Sequence, residues 1–158
     1  MSEQSVEGHR RIYEAFNARD ADALVGVIGP LIYVDTSTVR PGTLDELKRA
    51  IDQLVEFIDS NEPQILAYNV YLSDDGSQMT VVHIHANSAS LDHHMEIAGP
   101  AFRTFADLLT LTSISVYGEP STRAVAQLRD KAAMLGGGTV SIHSPQAGFA
   151  RFASGTRG

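Results

Sequence analysis

The apolar positions of this chain follow two rhythms, one of period two and one of three-and-four. Leu31 to Val39 (Leu-Ile-Tyr-Val-Asp-Thr-Ser-Thr-Val) is rich in β-branched and aromatic residues and lies between Gly29-Pro30 and Pro41-Gly42, which predicts a strand bounded by turns. Leu44, Leu47, Ile51, Leu54 and Ile58 follow at steps of three and four, so the next element is a helix with one apolar stripe. Thr43-Leu-Asp-Glu46 reads as its capping box. Asn61-Glu62-Pro63 ends it, because proline disfavours helical backbone in the residue before it. Ile65 to Leu72 and Met79 to Asn87 then form a hairpin around Ser73-Asp-Asp-Gly-Ser77, with Gly76 supplying a positive φ.

The second half repeats the alternation. Ser88 or Ser90 is expected to cap a helix bearing Leu91, Met95 and Ala98, which Gly99-Pro100 interrupts. Phe102, Phe105, Leu108 and Leu109 continue its buried face, and Thr112 to Tyr117 is the fourth predicted strand. Ser121 caps a helix carrying Val125, Leu128, Ala132 and Leu135, which ends at Gly136-Gly-Gly138 before a short fifth strand, Thr139 to His143. Two short helices are expected before all this, over residues 5–28: Ile12, Tyr13 and Phe16 share one stripe, and Asp20 caps a second set, Leu24, Val25 and Ile28. The end, from about Ala153, is expected to fray.

The central order β-α-β-β-α-β is the ferredoxin-like arrangement, an α+β fold on an antiparallel sheet. The expected organisation is an N-terminal helical extension (residues 1–30), a ferredoxin-like core (31–120), and a helix-and-strand tail packed on the core or on a partner (121–158). Both alternating sets of the hairpin strands are uncharged, whereas a half-exposed antiparallel sheet should show one polar face. Helices cover one face in this topology, so the second must meet another surface. The expected cover is the sheet of a second copy, making a homodimer; the N-terminal helices are the alternative.

Composition narrows the chemistry. Across 158 residues there are 12 Lys and Arg against 19 Asp and Glu, a formal charge of −7, with six His and neither Cys nor Trp. The absence of thiols excludes a disulfide scaffold, thiolate metal sites and a cysteine nucleophile. The acidic balance argues against nucleic acid or an anionic membrane as partner. No apolar run approaches the ~20 residues of a membrane-spanning helix, and Met1 to His9 lacks the basic and apolar regions of a secretion signal, so a cytoplasmic protein is expected.

The run Val81-Val-His-Ile-His-Ala-Asn-Ser-Ala-Ser-Leu-Asp-His-His94, then Pro100-Ala-Phe102, Ser113-Ile-Ser-Val-Tyr-Gly-Glu-Pro-Ser121 and the ending His143-Ser-Pro-Gln-Ala-Gly-Phe-Ala-Arg151 resemble, in that order, the antibiotic-biosynthesis-monooxygenase family of dimeric α+β barrels. The resemblance spans residues 31 to about 152. It implies a ferredoxin-like protomer, a homodimer, and a small-molecule pocket between sheet and helices. It also implies monooxygenation of small aromatic or quinol-like compounds without metal or flavin; relatives of the fold bind or degrade haem. Where many members carry a Glu-x-aromatic pair late in the third strand, this chain has His83 and His85. Residues 9–24 separately resemble the opening helices of SnoaL-like proteins.

Four of the six histidines fall between residues 83 and 94. His83 and His85 share one strand face, with Cβ atoms about 7 Å apart at ~3.3 Å rise per residue. His93 and His94 diverge by roughly 100° around their helix, and His94 sides with Leu91, Met95 and Ala98. The helix follows its strand directly, which brings His94 toward His85. Three readings stand side by side for His83, His85 and His94. They are hydrogen-bonded core histidines; or a neutral imidazole, whose ordinary pKa is ~6.5, takes a proton from a phenolic substrate that then reacts with O₂; or they hold a metal or haem. For a metal site, the carboxylate of a facial triad has no obvious candidate, because Asp92 is expected to point away from His94. Tyr33, Tyr68, Asn69 and Tyr71 are candidates to orient a ligand, or core aromatics and strand residues, depending on which sheet face borders the pocket. Arg103 reads as solvated and Arg151 as tying down the tail. Gly136-Gly-Gly138 follows a helix instead of opening one and is not a phosphate loop. The expectation is a site with no cofactor and no metal; a non-enzymatic binding protein on the same fold is the competing class.

Overall fold

The computed structural model describes residues 30–150. The expected helices over residues 5–28, with their SnoaL-like resemblance, Arg151 and the end from Ala153 lie outside the described residues. The elements run β1 (Leu31–Val39), α1 (Leu44–Asn61), β2 (Ile65–Leu72), β3 (Gln78–His85), α2 (Ser88–Ala98), a 3-10 helix (Gly99–Phe105), β4 (Leu109–Tyr117), α3 (Thr122–Met134) and β5 (Thr139–His143).

The five strands form one sheet in the order β2-β3-β1-β4-β5. The first four are antiparallel neighbours, whereas β5 runs parallel to β4, with Ser113 opposite Thr139 and Tyr117 opposite His143. Parallel neighbours need a long crossover, and α3 supplies it. The fold is therefore ferredoxin-like α+β, extended by a β-α-β unit at one edge. Gly138 makes that edge possible. A Cβ there would stand 2.8 Å from the Leu111 carbonyl oxygen and 2.9 Å from the Thr112 carbonyl, so only glycine lets the chain return this close to β4.

One sheet face carries the core. Leu31, Tyr33 and Val39 of β1, Met79 and Val81 of β3, and Leu109, Leu111, Ile114 and Val116 of β4 are buried there with Leu47, Leu54 and Ile58 of α1, Leu91 and Met95 of α2, and Leu128 of α3. The opposite face has Ile32, Val34, Val82 and Ile84 half-buried, and Leu66 and Tyr71 remain 49% and 56% exposed.

Three local expectations are corrected. Thr43 makes no side-chain cap to α1; its hydroxyl lies 2.8 and 2.9 Å from the carbonyl oxygens of Arg40 and Leu108, tying the helix start to the segment before β4. Neither Ser88 nor Ser90 caps α2: the Asn87 side chain accepts from the Ser90 backbone N–H at 2.9 Å, which also ends β3 at His85. β4 begins at Leu109, three residues earlier than the pattern suggests. The pairing of β1 with β4 shifts between Thr36 and Ser37, so Leu109 and Leu111 face the core out of phase with Ile114 and Val116. A bulge of this kind breaks the period-two signal that the sequence pattern relies on.

Candidate functional site

The site is built on the polar residues of the core-facing side. In β1 the inward positions read Leu31, Tyr33, Asp35, Ser37 and Val39; in β3 they read Met79, Val81, His83 and His85. β1 and β3 are direct neighbours, with Tyr33 opposite His83. The two rings stack at 4.1 Å between centroids. Tyr68, opposite His83 on the other side, meets the same imidazole edge-on at 4.6 Å.

α2 then delivers the third imidazole. Asn87, two residues after His85, caps the helix that starts at Ser88 and turns Ser90, Leu91, His94, Met95 and Ala98 inward. His94 stands 5.0 Å from His83 and 5.4 Å from His85, and His83 is 6.0 Å from His85, all between ring centroids. All three side chains are fully buried. His93 faces solvent, and Asp92 accepts from Ser121 Oγ at 2.7 Å, away from the cluster. Tyr33 and Tyr68 border the histidines, whereas Asn69 and Tyr71, opposite Val82 and Thr80 of β3, are exposed on the other sheet face and do not join them.

Each ring is held differently. His94 Nδ1 lies 3.0 and 2.9 Å from the two carboxylate oxygens of Glu62. The Nδ1–H donates to that carboxylate, so the lone pair of this tautomer is on Nε2. His85 Nδ1 is 2.9 Å from Ser90 Oγ. His83 has no hydrogen bond among the described residues: its Nε2 is 3.5 Å from Asp35 Oδ2, a long electrostatic contact. Among the described residues, the buried Nε2 atoms of all three rings, and Nδ1 of His83, have no hydrogen-bond partner.

Asp35 is satisfied from α3. Lys131, also buried, donates to Asp35 Oδ2 at 2.8 Å and to the Tyr33 hydroxyl at 2.5 Å, and its Nζ sits 4.2 Å over the Phe102 ring. Burial by itself raises the pKa of Asp35, but the Lys131 ammonium and then His83 outweigh it and hold the carboxyl well below its usual range. Burial pushes His83 down to about 3, partly opposed by Asp35 and reinforced by His94. Burial, with His83 and His94 adding to it, pushes His85 down to about 2. Both are neutral imidazoles. Burial also raises Tyr33 and Tyr68, so both phenols stay protonated.

A cavity of about 30 Å³ opens beside this cluster, with Asp35, Ser37, Tyr68, Phe102 and Lys131 in its wall, room for roughly one water molecule. Among the described residues, no three His, Asp or Glu side chains are arranged to hold a metal ion.

Three residues of the cluster carry chemistry that the sequence pattern did not single out. Asp35 is the one charged residue of β1 and alternates with Tyr33, a readable signal. Lys131 lies three residues after Leu128 on the apolar stripe of α3, equally readable. Glu62 reads only as part of a helix stop. Its contact with His94 spans 32 residues and has no local signature.

No protein-family model matches the chain, and no curated protein matches it. Solved structures do. The chain is similar to MupZ from Pseudomonas fluorescens, with 15% identity over 78% of this chain and 95% of that one, at a TM-score of 0.60. It is also similar to a conserved protein from Methanosarcina mazei Go1, with 20% identity over 57% and 92% of the two chains, at a TM-score of 0.51. These likenesses establish a shared fold. A protein from Bacteroides thetaiotaomicron, provisionally named an antibiotic biosynthesis monooxygenase, superposes more loosely, at 20% identity over 52% and 85% of the chains and a TM-score of 0.44.

Proposed function

We propose that the chain is a cofactor-independent monooxygenase for small aromatic or quinol-like compounds, with His94 as the base. The supporting observation is a set of four buried ring nitrogens with no hydrogen-bond partner among the described residues, one of them Nε2 of the carboxylate-held His94. An unsatisfied buried polar atom costs ~1–3 kcal/mol, and a ligand bearing hydroxyl and carbonyl oxygens would satisfy several at once. The resemblance of residues 81–94 to the monooxygenase family points the same way.

The roles divide by environment. His83 and His85 are held neutral by burial and serve as hydrogen-bonding partners that orient the ring. His94 accepts the phenolic proton at Nε2, because Glu62 behind Nδ1 stabilises the positive charge that arrives. The resulting electron-rich anion reduces O₂. For 1,4-dihydroxynaphthalene the balance is C₁₀H₈O₂ + O₂ → C₁₀H₆O₃ + H₂O: one oxygen atom enters the ring and the other leaves as water with the two hydrogens.

The test is oxygen uptake with this quinol, corrected for its spontaneous oxidation, together with ¹⁸O₂ labelling of the product. Incorporation of one ¹⁸O that falls ~10²–10⁴-fold in His94→Ala, as loss of a general base does, supports the reading. No enzyme-dependent uptake or label across a panel of quinols and phenols overturns it. The same reading includes a homodimer in which a second copy covers the half-buried outer sheet face; a monomeric mass by sedimentation would remove that part.

A further inference from the structure

Two buried carboxylates stand against two neighbouring imidazoles, and they meet different nitrogens. Glu62 faces Nδ1 of His94, with both oxygens within 3.0 Å. Asp35 faces Nε2 of His83, at 3.5 Å. The two rings lie 5.0 Å apart between centroids, close to edge-on. A neutral imidazole carries its proton on one nitrogen and a lone pair on the other, and an ionised carboxylate only accepts. The carboxylate therefore attracts an N–H and repels a lone pair. In a dry core that preference is stronger than in water, and it acts at 3.5 Å although the contact is too long for a good hydrogen bond.

The preference requires an ionised Asp35, and α3 supplies the condition. Lys131 donates to Asp35 Oδ2 at 2.8 Å and to the Tyr33 hydroxyl. Its ammonium, with His83, outweighs burial and keeps the carboxyl charged. Tyr33 in turn stacks on the His83 ring at 4.1 Å, and Tyr68 meets that ring edge-on at 4.6 Å, so it is gripped on two sides. His85 is the contrast. Its Nδ1 lies 2.9 Å from Ser90 Oγ, and a hydroxyl either donates or accepts, so that contact selects no tautomer.

We propose that Asp35, held ionised by Lys131, is a positioning residue that keeps His83 in its Nε2–H tautomer, the opposite of His94. Adjacent rings then offer two lone pairs, Nδ1 of His83 and Nε2 of His94. Both nitrogens are buried and have no hydrogen-bond partner among the described residues. Two acceptors call for a ligand that brings two donors. On the monooxygenase reading, on which this use of the lone pairs rests, His94 takes the proton of one hydroxyl and His83 accepts a hydrogen bond from a second. The tautomer itself does not depend on that reading. Lys131 lies on α3, outside the β-α-β-β-α-β core, so the added unit sets the chemistry of a core histidine.

Long-range ¹H–¹⁵N correlation spectra of the ligand-free protein at pH 7 test this, because a ring nitrogen with a lone pair resonates far from one that carries a proton. Signals are assigned by their loss in His83→Phe and His94→Ala. The expected result is a proton on Nε2 of His83 and on Nδ1 of His94. Asp35→Leu combined with Lys131→Met removes both charges and strands neither; Asp35→Asn, close to isosteric, is measured beside it, and thermal melting verifies that each is folded. His83 should shift toward the other tautomer in these variants while His94, held by Glu62, keeps its own. A proton on Nδ1 of His83 in the wild type, or a His83 tautomer unchanged in every folded variant, overturns the proposal. The expected tautomers without turnover of any quinol remove the monooxygenase reading and leave the role of Asp35 standing; turnover with His83 in the other tautomer does the reverse.

Discussion

Glu62 closes helix α1 and holds His94, which stands on helix α2, with both carboxylate oxygens within 3.0 Å of Nδ1. The contact joins two elements that flank the hairpin of β2 and β3. Its geometry depends on where α1 stops: the Glu62 backbone N–H still bonds to the Ile58 carbonyl at 2.8 Å, so the side chain is carried by the last turn of the helix. Pro63 prevents that turn from continuing.

Glu62→Gln should therefore affect activity more than stability. A glutamine amide can present its NH₂ to Nδ1 and favour the tautomer with the proton on Nε2, where the base is needed. Loss of the charge and of the tautomer should lower kcat on the order of 10²-fold or more, with stability reduced by about 1–3 kcal/mol. Steady-state kinetics and urea titration separate the two.

Lys131 and Asp35 form a buried ion pair at 2.8 Å. Breaking such a pair from one side costs about 3–5 kcal/mol, because the remaining charge is stranded, whereas replacing both partners by apolar residues is often neutral. Lys131→Met should be strongly destabilised, and Lys131→Met combined with Asp35→Leu should recover much of the loss. Chemical denaturation of the two single variants and the double variant checks this; additive losses would contradict it.

Acid should weaken the fold before the carboxylates titrate. His83 and His85 have folded pKa values depressed to about 3 and about 2, against ~6.5 for an unfolded histidine. Below pH ~6.5 the unfolded chain binds protons that the native chain does not, so stability falls as pH falls, with a limiting slope of about 1.4 kcal/mol per pH unit for each histidine. Asp35 adds to this only below about pH 4, where the unfolded carboxyl takes up a proton that the native one still refuses. Urea midpoints between pH 7 and 4.5 should drop steeply, and His83→Phe should flatten the slope.

Gly138→Ala should destabilise the edge of the sheet. The added carbon would meet backbone atoms of Leu111 and Thr112 at 2.8–2.9 Å, and backbone cannot swing aside as a side chain can. A loss of about 1–3 kcal/mol is expected, as for other overpacked sites. Hydrogen exchange should show it at β5 first.

Most of the fold was legible because its signals are local. The stripe of α1, the β2–β3 hairpin with Gly76 at φ +69°, and the Ser121 cap, which accepts from the Ala124 N–H at 3.0 Å, all follow from residues within a few positions of one another. Local pattern and structure part where a distant contact redirects a local one. Thr43 turns from capping its own helix to the Leu108 carbonyl 65 residues away, and the bulge at Thr112 within β4 hides three strand residues from the alternation rule.

The candidate site divides along the same line. Spacing alone put His83 and His85 on one face and His94 on the inward side of the helix that follows. The pattern did not single out Asp35 and Lys131, although each is a charge on an otherwise uncharged face. Which charges meet is another matter. The Asp35–Lys131 and Glu62–His94 contacts span 96 and 32 residues, and periodicity carries no information about which helix face lands on which strand. The sheet order that sets β1 beside both β3 and β4, and the crossover that lays α3 over them, make that decision. Charge pairing in the core follows from chain topology, because an ionic group is stable in a dry interior only where the fold brings its partner.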